Sequence, residues 1–326
     1  MRIEYLNMLI NKDIPNVYQL FLDIYINSDY GFSSLSKENI QKVITKKSKK
    51  EIDETKNILE DFPDVLTVYR GCGSESSDME NAYSWTIKSS VALFFATRFD
   101  NKSPILYKAK VKKEDIWEFI DNEEKECLIL PNKLFDIEEF SLYSTEYLNK
   151  NIYKITDDYL FYKEKANYRK YPFSIYSELH GREHSMRVLF FCILLANMKN
   201  LPTKDKDILA QAAIYHDIGR TNDREDENHG LLSVKKYNKN ANPIILFLME
   251  YHCKPDEQGI AFIESDPYLS LEKEKIKLLY SIFKDADALD RVRLGKFELD
   301  FEQLRTEEAK KLPAIANITL SQLKNL

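Results

Sequence analysis

The hydrophobic periodicity of this chain changes character near residue 150. Before that point short apolar runs recur with period two, and beyond residue 176 nearly every apolar stretch has helical spacing. Ile105, Tyr107, Ala109 and Val111 alternate with Leu106, Lys108, Lys110 and Lys112, which predicts a half-buried strand. Residues 66–70 and 125–131 read as two further strands, the second stopped by Pro131. Helices are predicted over 14–28, 37–60 and 89–99, the last opened by a serine cap. In the second half they are predicted over 183–199, 204–218, 243–252 and 271–289. The expectation is a two-domain chain, with an α+β domain over 1–150 and an all-α domain over 151–326. At 326 residues and 44% hydrophobic content, each half is long enough to bury its own core.

The formal net charge of −6 argues against a protein that coats nucleic acid, because no basic excess is present to neutralise phosphates. The four cysteines, Cys72, Cys127, Cys192 and Cys253, form no CxxC pair, so neither a disulfide framework nor a thiolate zinc site is expected. The N-terminal residues lack a basic segment followed by a long apolar run, so no signal peptide is expected. The most apolar stretch, 188–196, is too short to span a bilayer and is flanked by Arg187 and Lys199. A cytoplasmic location and no membrane partner are the expectation, and the oligomeric state stays open.

The five histidines, His180, His184, His216, His229 and His252, all fall in the helical half. His216 is followed directly by Asp217 at the end of an apolar helical run. A carboxylate there is costly unless it is paired or metal-bound. On the helix predicted over 271–289, Ile276, Leu279, Tyr280 and Phe283 mark the apolar stripe, and one further turn reaches Asp287. Asp287 is therefore expected to point inward and Asp285 to lie off the stripe. His184 precedes an almost wholly apolar helix, and the same reasoning turns it inward.

The series His184-Ser-Met-Arg187-Val188, Tyr215-His216-Asp217-Ile218-Gly219-Arg220 and Lys284-Asp-Ala-Asp287-Ala-Leu-Asp290 resembles the HD superfamily of metal-dependent phosphohydrolases over roughly residues 170–300. The resemblance implies that His184, His216, Asp217 and Asp287 hold a divalent ion, with Asp217 also taking part in catalysis. Mn, Fe, Mg, Co, Ni and Zn are all open, and so is a count of one or two ions. His229 and His252 lie in order between the His-Asp pair and Asp287, the layout of binuclear members, where such histidines reach a second ion or the phosphate. His180 reads equally as a ligand or a substrate contact. Arg187, Arg220 and Lys254 are candidate phosphate clamps, because guanidinium and ammonium groups bind phosphate strongly; each reads equally as a surface charge. The implied substrate is a phosphorylated small molecule or a nucleotide.

Three pieces of the first half remain. They are Val68-Tyr69-Arg70-Gly71, then Ser84-Trp85-Thr86, then Glu124-Lys125-Glu126 leading into an apolar strand. If that strand extends through Glu124, the two glutamates project on one face. In this order the pieces resemble the arginine–serine–glutamate class of mono-ADP-ribosyltransferases. The resemblance implies NAD as cofactor, bound by Arg70 and by a pocket that Ser84 and Thr86 support. It gives Glu126 the ribose hydroxyl and the oxocarbenium charge, and Glu124 the activation of an acceptor, a protein or a nucleic acid. Two functions stand side by side at this point. One is a bifunctional nucleotide enzyme. The other is a single hydrolase gated by a non-catalytic N-terminal sensor that binds a nucleotide or a protein.

Overall fold

The computed structural model describes residues 2–12, 14–28, 36–74, 76–98, 102–151, 153–237 and 240–322. The chain divides into two compact units. The first comprises Met1–Ala96 with Pro104–Phe140, and the second comprises Thr97–Ser103 with Ser141–Leu326.

The first unit begins with helices α1 (Arg2–Ile10), α2 (Val17–Ile26), α3 (Lys37–Thr45) and α4 (Lys49–Ile58). The single helix expected over 37–60 is broken at 46–48. The cause is local. Ser48 is extended, and it forms a capping box in which its hydroxyl accepts from Glu51 N while the Glu51 carboxylate accepts from Ser48 N. A helix start is therefore built into what reads as continuous helical spacing.

Six strands follow, β1 (Val65–Cys72), β2 (Ser84–Thr86), β3 (Ile105–Lys112), β4 (Ile116–Ile120), β5 (Glu126–Ile129) and β6 (Phe135–Ser141), with helix α5 (Ser89–Thr97) after β2. They form one sheet in the order β4-β5-β2-β1-β3-β6. The pairs β1–β2, β1–β3, β2–β5 and β4–β5 are antiparallel, with Tyr69 opposite Thr86 and Thr86 opposite Glu126. Side chains alternate across the sheet as the pleat requires. Leu128 joins Leu6, Phe21, Ile40 and Val43 in a cluster on one face. Cys127 and Ile129 join Val68, Trp85, Ala109 and Val111 on the other. Trp85 is 1% exposed and donates its indole N–H to Ala82 O, so it is a core residue. Gly71 is required by packing, because a Cβ there would lie 1.8 Å from Ala92 O on α5.

The sequence pattern showed β1, β3 and β5 but not β2, β4 or β6. Strand β2 has three residues, too few for a period. Strand β4 carries a register shift between Ile116 and Glu118, which breaks its alternation. Strand β6 has no buried residue, so no apolar alternation marks it.

The second unit is helical, with α6 (Thr145–Asn151), α7 (Tyr153–Lys165), α8 (Arg182–Met198), α9 (Thr203–Tyr215), α10 (His229–Lys236), α11 (Pro243–Tyr251), α12 (Asp256–Ser265), α13 (Lys273–Leu289), α14 (Glu307–Lys310) and α15 (Pro313–Gln322). Helix α8 is buried without interruption from His184 to Ala196. It packs against α7, α9 and α13, so it is the axis of the unit. None of the helices among the described residues is long and apolar enough to cross a membrane.

Asp285 lies off the apolar stripe as expected, yet it is not exposed. Its side chain is fully buried on α13, where it accepts from Arg305 N and Thr306 N at 2.8 Å each and from Thr306 Oγ1 at 2.7 Å. The apolar stripe marks the face turned toward α8 but not the flank covered by the segment after α13. Sequence spacing alone does not reveal that second cover.

Candidate metal centre and a second polar cluster

Each of the five histidines lies at or beside a helix end of the second unit. His180 precedes α8 and His184 sits in its first turns; His216 caps α9, His229 opens α10 and His252 caps α11. Helix α9 ends at Tyr215, shorter than expected, so Asp217 falls in the turn that follows. That turn is held tightly. Gly219 N donates to Ser233 Oγ at 2.9 Å, and a Cβ on Gly219 would lie 2.2 Å from Ser233 N.

Four imidazoles are oriented by what their Nδ1 atoms touch. Nδ1 of His216 lies 2.9 Å from Ala213 O, and Nδ1 of His252 lies 2.8 Å from Met249 O. Nδ1 of His229 contacts Asp226 O, and Nδ1 of His184 lies 2.7 Å from Asp290 Oδ2. Carbonyls and carboxylates only accept, so each Nδ1 carries a proton, and each Nε2 presents a lone pair whenever its ring is neutral. Burial opposes the charge on His229, but the Asp217 carboxylate outweighs it and raises His229 to about 10 in the absence of a metal. These lone pairs converge. His184 Nε2 lies 3.1 Å from His216 Nε2, and His229 Nε2 lies 2.8 Å from His252 Nε2.

Asp217 stands between the two pairs. Its Oδ2 is 3.6 Å from His184 Nε2 and 3.7 Å from His216 Nε2. Its Oδ1 is 3.2 Å from His229 Nε2 and 3.6 Å from His252 Nε2. Although it is 2% exposed, Oδ1 makes no hydrogen bond of acceptable geometry among the described residues. Burial opposes its charge, but the surrounding imidazoles hold its carboxyl well below the usual carboxylate range. Burial also depresses His216 to about 3, leaving it neutral and able to ligate. Asp287 Oδ1 lies 3.3 Å from His184 Nε2, and 29% of the Asp287 side-chain surface is open to solvent, so the cluster is accessible from that side.

Buried imidazole nitrogens that face one another across about 3 Å, around a carboxylate oxygen with no hydrogen bond among the described residues, call for a shared proton or a cation between them. The donor set therefore fits a metal. Among groups with suitable spacing are His184, His216 and Asp287; His180, His184 and Asp217; His216, Asp217 and His252; and His229, His252 and Cys253.

The expected phosphate-binding residues are placed differently from one another. His180 Nδ1 lies 3.4 Å from Asp217 Oδ2 and accepts from Arg293 Nη2 at 3.2 Å. Arg220 Nε is 3.4 Å from Asp217 Oδ2, without hydrogen-bond geometry, while its Nη1 donates to Arg224 O. Both stand at the cluster. Arg187 is 3% exposed and its guanidinium is engaged by Asp290. The Lys254 ammonium pairs with Glu250 at 2.9 Å and lies over the Tyr251 ring.

Three residues with contacts here were not singled out by sequence reasoning. Asp290 orients His184, Arg293 contacts both Asp290 and His180, and Cys253 neighbours His229 and His252. A signal existed for two of them, since Asp287, Asp290 and Arg293 recur at intervals of three.

In the first unit, Arg70, Ser84 and Glu126 are brought together. Arg70 Nη1 donates to Ser84 O at 2.8 Å, and Ser84 Oγ donates to Glu126 Oε1. Arg70 Nε is buried without a partner among the described residues. Burial raises the Glu126 carboxyl from 4.5 to about 6, helped by Glu124 and opposed by Ser84 and Arg70. The Thr86 hydroxyl donates to Glu124 O at 2.6 Å and accepts from Lys88 N, which fixes the loop before β5. The strand does not extend through Glu124. Lys125 has a left-handed φ of 50°, so β5 begins at Glu126 and strand alternation does not align the two glutamates.

Residues 181–292 match the family model of the HD domain. The matched residues carry a histidine–aspartate cluster suited to a divalent metal. Comparison with curated proteins and with solved structures gives no match.

Proposed function

We propose that the second unit is a metal-dependent phosphohydrolase acting on a phosphorylated small molecule or nucleotide. The observation that carries this reading is the convergence of four Nε2 lone pairs on Asp217 inside an HD domain. His184, His216, Asp217 and Asp287 would hold one ion, and His229, His252 and Asp217 a second. When bound, such an ion supplies a nucleophile at neutral pH and stabilises charge on phosphoryl oxygens.

The remaining roles belong to the protein. The Nδ1 contacts of the four imidazoles fix tautomer and ring orientation, as outer partners do in metal sites. Arg220 and Arg293 place positive charge beside Asp217 and His180, where a phosphoryl group entering from the Asp287 side meets it. His180, kept neutral chiefly by burial, is positioned to accept a proton or to contact the phosphoryl group. Arg187 supports the site from behind through Asp290. The test is metal analysis of the purified protein with a screen of mononucleotides, cyclic nucleotides and other phosphate esters. A metal-free protein with no phosphatase activity after Mn, Co or Fe loading would sink the reading.

A second activity rests on a separate observation, the Arg70–Ser84–Glu126 contact chain with an Arg70 Nε that has no partner among the described residues. It supports NAD-dependent transfer of ADP-ribose by the first unit to a protein or nucleic-acid acceptor. A basic group for pyrophosphate stands there beside a carboxylate able to stabilise an oxocarbenium ion. Release of nicotinamide from NAD tests it, and its absence favours the sensor alternative.

A further inference from the structure

Cys253 follows His252 directly, just past the end of α11. Its Sγ and one imidazole nitrogen each of His229 and His252 all lie within 4.8 Å of one another. The thiol is held in place by Glu227 O at 3.2 Å and Glu250 O at 3.7 Å. A cysteine in such a place is not by itself a site. Here a second observation points to a ligand. The buried Asp217 Oδ1 has no hydrogen-bond donor among the described residues and faces the same two imidazoles, whose Nε2 lone pairs oppose each other across 2.8 Å.

We infer that Cys253 is a thiolate ligand of the second cation position, sharing it with His229, His252 and Asp217, and that this position selects a thiophilic divalent ion over Mg or Mn. The inference rests on the metal-centre reading above. Thiolate and imidazole donors suit Zn, Co and Fe, whereas Mg and Mn favour carboxylate, carbonyl and water oxygens. Zinc binds sulfur at about 2.3 Å and nitrogen at about 2.0–2.1 Å, so the donors of an assembled site stand roughly 3.5 Å apart. The two Nε2 atoms, 2.8 Å apart, would part slightly around an ion, while Sγ of the partly exposed Cys253, within 4.8 Å of one nitrogen of each ring, would close on it. Binding breaks the S–H bond, forms a sulfur–metal bond and releases one proton to solvent for each ion taken up. The set of His184, His216, Asp217 and Asp287 contains no sulfur, so the two positions are chemically unequal.

The test is titration of the metal-stripped full chain with Co(II), read by its visible d–d bands and by near-ultraviolet thiolate-to-cobalt charge transfer. The expected result is a charge-transfer band belonging to one of two bound ions. In Cys253→Ser that band disappears while the d–d bands of the other ion remain. Cobalt affinity at the altered position should fall by at least the roughly 10–100-fold that loss of an outer partner costs. Cys72, Cys127 and Cys192 are buried, so the serine variant identifies the source of the band. A parallel measurement is the reaction of Cys253 with an aromatic disulfide reagent, which zinc should slow and magnesium should not. Two bound cobalt ions without charge transfer, or a thiol that zinc leaves equally reactive, would overturn the Cys253 assignment and leave the hydrolase reading standing. A chain that binds no cobalt would overturn both.

Discussion

Arg187 Nε donates to Asp290 Oδ1 across 2.6 Å and Arg187 Nη2 to Asp290 Oδ2 across 3.2 Å, a two-point pair between side chains that are almost wholly buried. The same Oδ2 receives Nδ1 of His184. An arginine that reads in the sequence as a phosphate clamp or a surface charge is buried against the carboxylate that orients His184. Arg187→Met should remove the two-point partner of a buried carboxylate, leaving it His184 and Arg293, and cost up to about 3–5 kcal/mol of stability. Chemical denaturation measures that loss, and metal affinity should fall with it. A variant with full stability and metal content but a raised KM would return Arg187 to the phosphate.

Asp217 serves both imidazole pairs, so its removal should differ in kind from removal of a single histidine. Asp217→Ala is expected to lose all bound metal, and His252→Ala only one of two ions. Elemental analysis of purified variants, with circular dichroism to check the helices, reads the difference. Equal metal content in wild type and Asp217→Ala would refute the assignment.

Chelation should destabilise the chain, because only the folded state presents the ligands together. A site held at 100 times its Kd contributes about 2.7 kcal/mol. The melting transition should fall on treatment with a chelator and recover on addition of Co or Zn. An unchanged transition would mean that the facing imidazoles hold no ion.

Glu126 has a raised pKa, so its sign differs from that of an ordinary surface carboxylate. The folded state retains the proton more tightly, with a carboxyl moved from 4.5 to about 6. Its contribution to stability is fully present below about pH 4.5 and is lost as pH rises through about 6. Glu126→Gln should remove that slope from the stability profile of the chain. If the first unit cleaves NAD, the ionised form is the working one, so nicotinamide release should decline as pH falls through about 6. The glutamine variant should lose about 10²–10³ in rate. Glu124→Gln should retain slow NAD hydrolysis while losing transfer.

The members of the histidine–aspartate cluster were readable in the sequence because each breaks a helical apolar pattern at a costly place. Asp287 was found by extending a stripe one turn, and His216 with Asp217 by their position at the end of an apolar run. The burial of Asp285 was not readable because its cover comes from residues 305 and 306, twenty positions along the chain, which no periodicity on α13 reveals. The break between α3 and α4 was missed because the Ser48–Glu51 box lies inside a run rich in lysine. Strand β6 was missed because none of its side chains is buried.

Asp285 also bears on how this chain can be cut. The family match ends at residue 292, yet the carboxylate two positions before Asp287 takes its donors from Arg305 and Thr306. A fragment trimmed to the matched residues would carry that carboxylate without those donors, on the helix that also presents Asp287. The smallest autonomous piece of the helical unit therefore extends at least through Thr306, and an excised 181–292 fragment should be a poor stand-in for the intact protein.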